Sequence, residues 1–342
     1  MADPSAYLAR LSKGESLDES ETYAAISGIL TEGWSDPEVV AFLTFLHNKQ
    51  IVADELVGAA RALLDNAIKI DVPAGPLFDN CGTGGDKSGT FNISTAAAFV
   101  VAACGVKVAK HGNRGFSSRT GSADVLQELG VNIDAPPATV AQCVGEIGIG
   151  FFFAPHWHPT VAKIQHIRRG LKFPTIFNLL GPLANPLRPT MRLIGVGGAS
   201  RQGLLRLEMA VAALRLGVTS STVVVGEDGL DEVTLTGPTR VMWGGRSTIE
   251  DKSWSPEDFG LPQYTGDEWK VDGPKESASL IRRLFANEQG PSLDIVLANA
   301  AAALLTAEAA KDLRDGVAKA REAIASGAAA DKLDALVRRT RS

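Results

Sequence analysis

Apolar residues recur at helical spacing through the first seventy positions: Val39, Phe42, Leu43 and Leu46, then Leu56, Ala59, Ala60, Leu63 and Leu64. That three-and-four rhythm predicts amphipathic helices. Ser16-Leu17-Asp18-Glu19 and Ser35-Asp36-Pro37-Glu38 each set a hydroxyl three residues before a glutamate, the spacing of a capping box. Pro37 falls in an early turn, where its missing N–H costs nothing. From about Pro76 the rhythm changes, and short apolar runs alternate with helical stretches and glycine turns. Strands are predicted over 106–109, 150–153, 191–196 and 221–225, and helices over 94–104, 122–129, 139–147, 202–215 and 311–325. Strand-helix alternation predicts an α/β fold with a mainly parallel central sheet. Residues 233–270 are β-rich and irregular. The expected organisation is a small helical domain over 1–72 and a larger α/β domain over 73–342.

Composition narrows the class. The 342 residues are 45% hydrophobic and 21% charged, as in a soluble globular protein. A net charge of −5 argues against a general nucleic-acid binder, and no membrane partner is expected. The apolar stretches 96–105 and 295–305 are too short and alanine-rich to span a bilayer. Cys81, Cys104 and Cys143 form no C-x-x-C motif, so reduced thiols in the cytoplasm are expected. Met1-Ala2-Asp3-Pro4 lacks the basic flank and apolar run of a secretory signal.

Four segments carry candidate chemistry. Asp79-Asn80-Cys81-Gly82-Thr83-Gly84-Gly85-Asp86 packs three glycines into four residues, and Thr90, Asn92, Ser94 and Thr95 lead from it into a helix. Such a loop lets the backbone approach a ligand closely and offers N–H groups to an anion. It matches neither the dinucleotide fingerprint nor the Walker A loop. Lys110-His111-Gly112-Asn113-Arg114-Gly115-Phe116-Ser117-Ser118 follows a predicted strand, and Ser122 opens the next helix. Its cations and hydroxyls suit phosphate oxygens. Asp228-Gly229-Leu230-Asp231-Glu232 follows the strand ending at Val225; paired carboxylates there are hard-cation ligands by type, and magnesium with a diphosphate is the natural pairing. Last come His156-Trp157-His158-Pro159, Arg168-Arg169 and 177–183. The two histidines lack further His or Cys partners at zinc spacing. Arg168, ten residues beyond His158, could clamp a carboxylate with its planar fork.

Taken together these blocks resemble the anthranilate phosphoribosyltransferase family, along nearly the whole chain. The resemblance adds Phe153-Ala154-Pro155, the run 175–183, Ser255-Pro256-Glu257-Asp258-Phe259-Gly260 and Asn299-Ala300-Ala301. It implies a nucleoside phosphorylase/phosphoribosyltransferase-like fold, with part of 160–190 joining the helical domain and the site between the two domains. It also implies a homodimer through the helical domain. By match, phosphoribosyl diphosphate falls to Gly82, Gly85, Asp86, Thr90, Asn92, Ser94, Thr95, Lys110, Ser118 and Ser122. Mg2+ falls to Ser94, Asp231 and Glu232, and the aromatic acid to Gly82, His111, Asn113, Arg168 and Pro182. No side chain is nominated as acid or base, because an arylamine is already largely neutral at pH 7.

The pattern departs from the family at three places. Val225-Gly226 stands where a His-Gly pair is usual, 170–174 replaces the usual continuation of the helix after Arg169, and Thr160 replaces an alanine. All three spare the donor and metal positions and cluster towards the acceptor. Two other readings fit the pattern less well. A pyrimidine nucleoside phosphorylase would carry a Lys-x-Ser-Thr-Gly-Gly setting that 79–82 lacks. A non-catalytic nucleic-acid-binding paralogue would lose the carboxylates and gain basic surface.

Overall fold

Mostly buried strands of both apolar and polar residues, with a polar, exposed strand at one edge, assemble into a seven-stranded sheet. The computed structural model describes residues 3–31, 33–71, 74–86, 88–115, 119–197, 202–245 and 248–342. Among them the strands are β1 (Phe78–Gly82), β2 (Val108–Gly112), β3 (Ile149–Phe153), β4 (Met191–Gly195), β5 (Ser220–Gly226), β6 (Thr239–Gly244) and β7 (Ile249–Trp254). Their spatial order is β3-β2-β1-β4-β5-β6-β7, with β1 to β5 parallel and β6 and β7 antiparallel.

Helices α1 (Pro4–Leu11), α2 (Glu19–Thr31), α3 (Asp36–Asn48) and α4 (Ala53–Asp65) precede the sheet. The crossover β1 to β2 is α5 (Ile93–Ala103), and β2 to β3 runs through α6 (Ser122–Glu128) and α7 (Pro137–Glu146). Between β3 and β4 lie α8 (Ala154–Trp157), a 3-10 turn (Pro159–Ile164), α9 (Gln165–Leu171) and α10 (Ile176–Leu179). Helix α11 (Gln202–Arg215) joins β4 to β5. Helices α12 (Pro256–Phe259), α13 (Pro274–Phe285), α14 (Pro291–Thr306), α15 (Leu313–Ala325) and α16 (Ala328–Arg341) follow β7.

Successive strand residues point to opposite faces, and both faces are covered, as a parallel sheet requires. Leu193 and Val224 pack with α5 and α14 to α16; their neighbours Ile194 and Val223 pack on the other face with α4 and α11. That second cluster also takes in Ile164, Ile167, Ile176, Phe177, Leu180 and Leu183 beside Leu43 and Leu56. The molecule is thus an N-terminal helical bundle domain with a larger α/β domain built on a mainly parallel sheet.

Three differences from the sequence reading have physical causes. β1 escaped the hydrophobic pattern because its centre is Asp79 and Asn80, both buried and hydrogen-bonded. β2 runs on to Gly112 because Lys110 and His111 are buried strand residues rather than loop. The cap of α2 is Asp18, not Ser16: Asp18 accepts from the Glu21 N–H at 2.8 Å, and Glu21 accepts from the Asp18 N–H at 2.9 Å. Glu19 is instead drawn to Arg61 and Arg215. At α3 the glutamate half of the box forms, Glu38 accepting from both the N–H and the hydroxyl of Ser35. No helix among the described residues is long and apolar enough to cross a membrane.

Candidate functional site

The chain leaves β1 towards β2 and β3 on one side, and leaves β4 towards β5 on the other. β1 and β4 are adjacent, so the strand order reverses between them. A crevice at the carboxyl ends of such strands is where open α/β sheets bind ligands. The three predicted loops leave the carboxyl ends of β1, β2 and β5, and they meet there.

Two glycines make the meeting possible. A Cβ on Gly82 would lie 2.4 Å from Oδ2 of Asp231, and a Cβ on Gly195 would lie 1.7 Å from the Asp231 carbonyl oxygen. Only hydrogen fits between these strand ends and the acidic loop. Asp231 then accepts from the Gly84 N–H at 2.8 Å, and Glu232 from the Ser94 N–H at 3.1 Å, at the start of α5. Gly84 and Gly85 have φ of 69° and 87°, the left-handed region that glycine enters freely. Burial raises the proton affinity of Asp231, and the charges of Asp86 and Glu232 raise it further. Burial lifts Glu232 to about 7 against the opposing pull of Lys110 and Ser94. Among the described residues no group of three or more His, Cys, Asp or Glu is placed to hold a metal unaided. Magnesium is usually held by one or two carboxylates, its other positions filled by water and substrate phosphates, and this donor set fits that pattern.

The remaining predicted donor residues divide into those that face the crevice and those that brace it. Asn92 accepts from the hydroxyls of Thr120 (2.9 Å) and Ser277 (2.8 Å), so its amide ties the first loop to the second. Thr90 shares a hydrogen bond with Ser88 at 3.1 Å and bridges to Lys270. Thr95 is buried, its hydroxyl without a partner, against a small void of about 10 Å³ also lined by Lys110. Lys110 is buried too and donates to the Asn80 carbonyl at 2.6 Å. Ser122 closes the second loop on the Asn113 carbonyl at 3.3 Å. Ser118 lies outside the described residues.

Of the acceptor candidates, His111 and Asn113 lie at the end of β2, and Gly181, beside Pro182, is bonded to His111. His111 Nδ1 donates to the Gly181 carbonyl at 2.9 Å, which leaves a lone pair on Nε2, buried and without a partner. Burial pushes its pKa down to about 4, so the ring is neutral. The Pro182 carbonyl accepts from Arg192. Asn113 is exposed, and its side-chain oxygen accepts from the Arg114 N–H at 2.8 Å. Arg168 is half-buried, its guanidinium 5.3 Å from the centre of the Phe177 ring, and its Nε is buried without a partner. Burial lowers its pKa. No carboxylate among the described residues pairs with it. Arg169, one position on, is exposed.

Sequence reasoning left the support of this site unassigned. Asp79 accepts from the His111 N–H (3.1 Å) and from Asn185 (2.9 Å), and Arg192 donates to Pro182 and Pro189. Burial raises the pKa of Asp79 while Lys110, Asn185 and Arg192 oppose the rise. The signal lay in the sequence as charged residues within predicted or overlooked strands.

Residues 74–330 match a glycosyl transferase family α/β domain, and residues 5–67 match the helical bundle domain of a glycosyl transferase family. Anthranilate phosphoribosyltransferase from Thermomicrobium roseum is 44% identical over 333 residues, 96% of this chain and 94% of that protein. The crystal structure of the Thermus thermophilus anthranilate phosphoribosyltransferase aligns with a TM-score of 0.91 at 39% identity, covering 98% of this chain and 99% of that one. The Saccharomyces cerevisiae enzyme in complex with PRPP and magnesium aligns at 0.89 and 28% identity, over 99% and 98% of the two chains. Matched over nearly its whole length by these relatives, the chain belongs to the anthranilate phosphoribosyltransferase family.

Proposed function

We infer that this chain transfers the phosphoribosyl group of 5-phosphoribosyl 1-diphosphate to the amine of anthranilate, releasing diphosphate, a step of tryptophan biosynthesis. The observation that carries the reading is the fit of Asp231 and Glu232 against the glycine loop at the reversal of strand order. We assign the donor to Gly82, Gly85, Asp86, Thr90, Asn92, Ser94, Thr95, Lys110, Ser118 and Ser122. Asn92, Thr95 and Lys110 shape that pocket more than they touch the donor through their side chains. Ser94, Asp231 and Glu232 would hold Mg2+. Bound there, the ion supplies positive charge to the diphosphate oxygens.

Every other contribution comes from the chain itself. N–H groups of the glycine loop stabilise the negative charge that grows on the departing diphosphate. Arg168 pairs with the acceptor carboxylate, which supplies the counter-ion that its half-buried guanidinium lacks. Asn113 orients the amine, with Gly82 and Pro182 beside the ring, and the neutral His111 offers its Nε2 lone pair to an N–H. The amine nitrogen bonds to C1 as the bond from C1 to the diphosphate oxygen breaks, and the nitrogen then releases one proton to solvent. Alignment of the two reactants provides the rest of the acceleration.

We place the domain division at 1–72 and 73–342, with part of 160–190 joining the helical domain, supported by the apolar cluster those segments share. A homodimer through the helical domain follows the family resemblance, and a cytoplasmic location follows the reading of the three cysteines as reduced thiols; light scattering should give twice the 36.0 kDa of one chain. The function is tested by diphosphate release from the donor with magnesium, screened across anthranilate, other aromatic acids and nucleobases. Turnover with anthranilate that stops on chelation is expected. Turnover only with a nucleobase would overturn the acceptor and favour a phosphoribosyltransferase acting on that base.

A further inference from the structure

We propose that Asn299 is a positioning residue for the Asp231–Glu232 pair, fixing the peptide that follows them from inside the core. The inference rests on the reading of those carboxylates as magnesium ligands. Asn299 lies in the most apolar stretch of α14, 1% exposed, between Ala298 and Ala300, which are fully buried. An amide there is costly unless every polar atom is partnered. Its partners are the observation: Oδ1 accepts from the Val233 N–H at 2.9 Å, while Nδ2 donates to the Val233 carbonyl at 2.9 Å and to the Ile295 carbonyl at 2.9 Å. The two bonds to Val233 reproduce the pairing a neighbouring strand would give.

Val233 directly follows Glu232, in the stretch between the end of β5 at Gly226 and the start of β6 at Thr239. No sheet partner holds the acidic segment there, and Asn299 takes that part. On the other side of the pair Asp228 accepts from the Leu230 N–H at 3.1 Å and from the hydroxyls of Thr234 (2.7 Å) and Thr236 (2.8 Å). The two carboxylate residues are thus gripped before and after, and the Asp231 backbone is pressed on Gly195. A slack Val233 would let Glu232 swing away from Ser94, with which it would hold the ion.

The test reads divalent-ion binding rather than turnover alone. Mn2+ binding in the presence of diphosphate is followed by electron paramagnetic resonance in wild type, Asn299→Ala, Asn299→Asp, Glu232→Gln and Thr306→Val. Thr306 is the control: the same helix, also fully buried, its hydroxyl bonded to Thr222 at 2.7 Å away from the carboxylates. Asn299→Ala should weaken Mn2+ binding by about 10- to 100-fold, the usual cost of freeing a ligand's support, and raise the Mg2+ concentration for half activity by the same factor. The KM for anthranilate should not change. Thr306→Val should lower Tm without weakening Mn2+ binding. Asn299→Asp keeps the shape and the bond from the Val233 N–H but sets an acid oxygen against the Val233 and Ile295 carbonyls, so it should lower Tm and weaken Mn2+ binding less than alanine does. Wild-type Mn2+ binding in Asn299→Ala, or in Asn299→Asp where the alanine variant does not fold, would overturn the proposal, as would an equal loss in Thr306→Val. Unchanged binding in Glu232→Gln would instead overturn the ligand assignment itself.

Discussion

At Gly82 a methyl group in place of a hydrogen would lie 2.4 Å from a carboxylate oxygen of Asp231, so Gly82→Ala must push that carboxylate aside. A shift of the order of an ångström at a reacting site costs about 100-fold in rate, and that is the expected loss of kcat/KM in steady-state kinetics. Arg168 and Arg169 give a paired test. The half-buried Arg168 should lose a charged hydrogen-bonding pair with the acceptor, roughly 1.5–3 kcal/mol, so Arg168→Ala should raise the KM for anthranilate by about 10- to 100-fold. The exposed Arg169→Ala should leave it unchanged. Equal, small effects of both would remove the carboxylate clamp. At this scale the sequence made the chemistry of the site legible but not its direction. Asn92, Thr95 and Lys110 stand in the motifs, yet their side chains turn to Thr120 and Ser277, to the core, and to Asn80. Residue type reports what a group can bond to, and only the fold decides what it faces.

Elements were most legible where hydrophobic rhythm was unmixed. The helix predicted over 94–104 lies at Ile93–Ala103, and the strand predicted over 150–153 lies at Ile149–Phe153. β1 and the outer half of β2 were hidden because buried polar groups pair with distant partners, as Asp79 does with Asn185. Periodicity cannot register a partner a hundred residues away. The N-terminus of α2 makes the point testable. Asp18→Ala should lower Tm, because Asp18 caps the N–H of Glu21, whereas Ser16→Ala, which removes only an exposed hydrogen bond from Lys49, should lower it less. A second test concerns how α2, α4 and α11 are held together. Arg215 bridges Glu19 and Asp54, and Arg61 also reaches Glu19. These groups are partly exposed, so Arg215→Ala should cost under about 1 kcal/mol in urea unfolding. The cost should shrink in 1 M salt, where the screening length falls to about 3 Å.

Over the whole molecule the seam between the sheet and the segments around Gly181 and Ala184 is closed by two neutral histidines. His158 Nε2 donates to the Ala184 carbonyl at 2.9 Å, and its ring stands edge-on to His111 with centroids 5.5 Å apart. Burial, with a smaller push from His111, lowers the His158 pKa to about 3. The unfolded chain would titrate near 6.5, so below that pH the unfolded state binds the proton and the folded state does not. Stability attributable to His158 is therefore intact at pH 7 and falls as the pH drops from about 6.5 towards 3. At pH 5 the loss amounts to roughly 2 kcal/mol for one such imidazole. Asp79, Asp231 and Glu232 act in the opposite sense, since their raised pKa values penalise the folded state once they ionise. The net acid profile of the wild type thus mixes opposing effects, and a comparison of variants separates them. His158→Gln removes the titrating ring and leaves the carboxylates in place. It should be less stable than wild type at pH 7 through lost packing against the seam. The gap should narrow by roughly 2 kcal/mol at pH 5, because only the wild type carries the imidazole proton penalty. Urea unfolding of both proteins at the two pH values measures it. A gap that stays constant between pH 7 and pH 5 would mean that His158 takes up its proton in the folded protein as readily as in the unfolded chain, and that the seam is open to water.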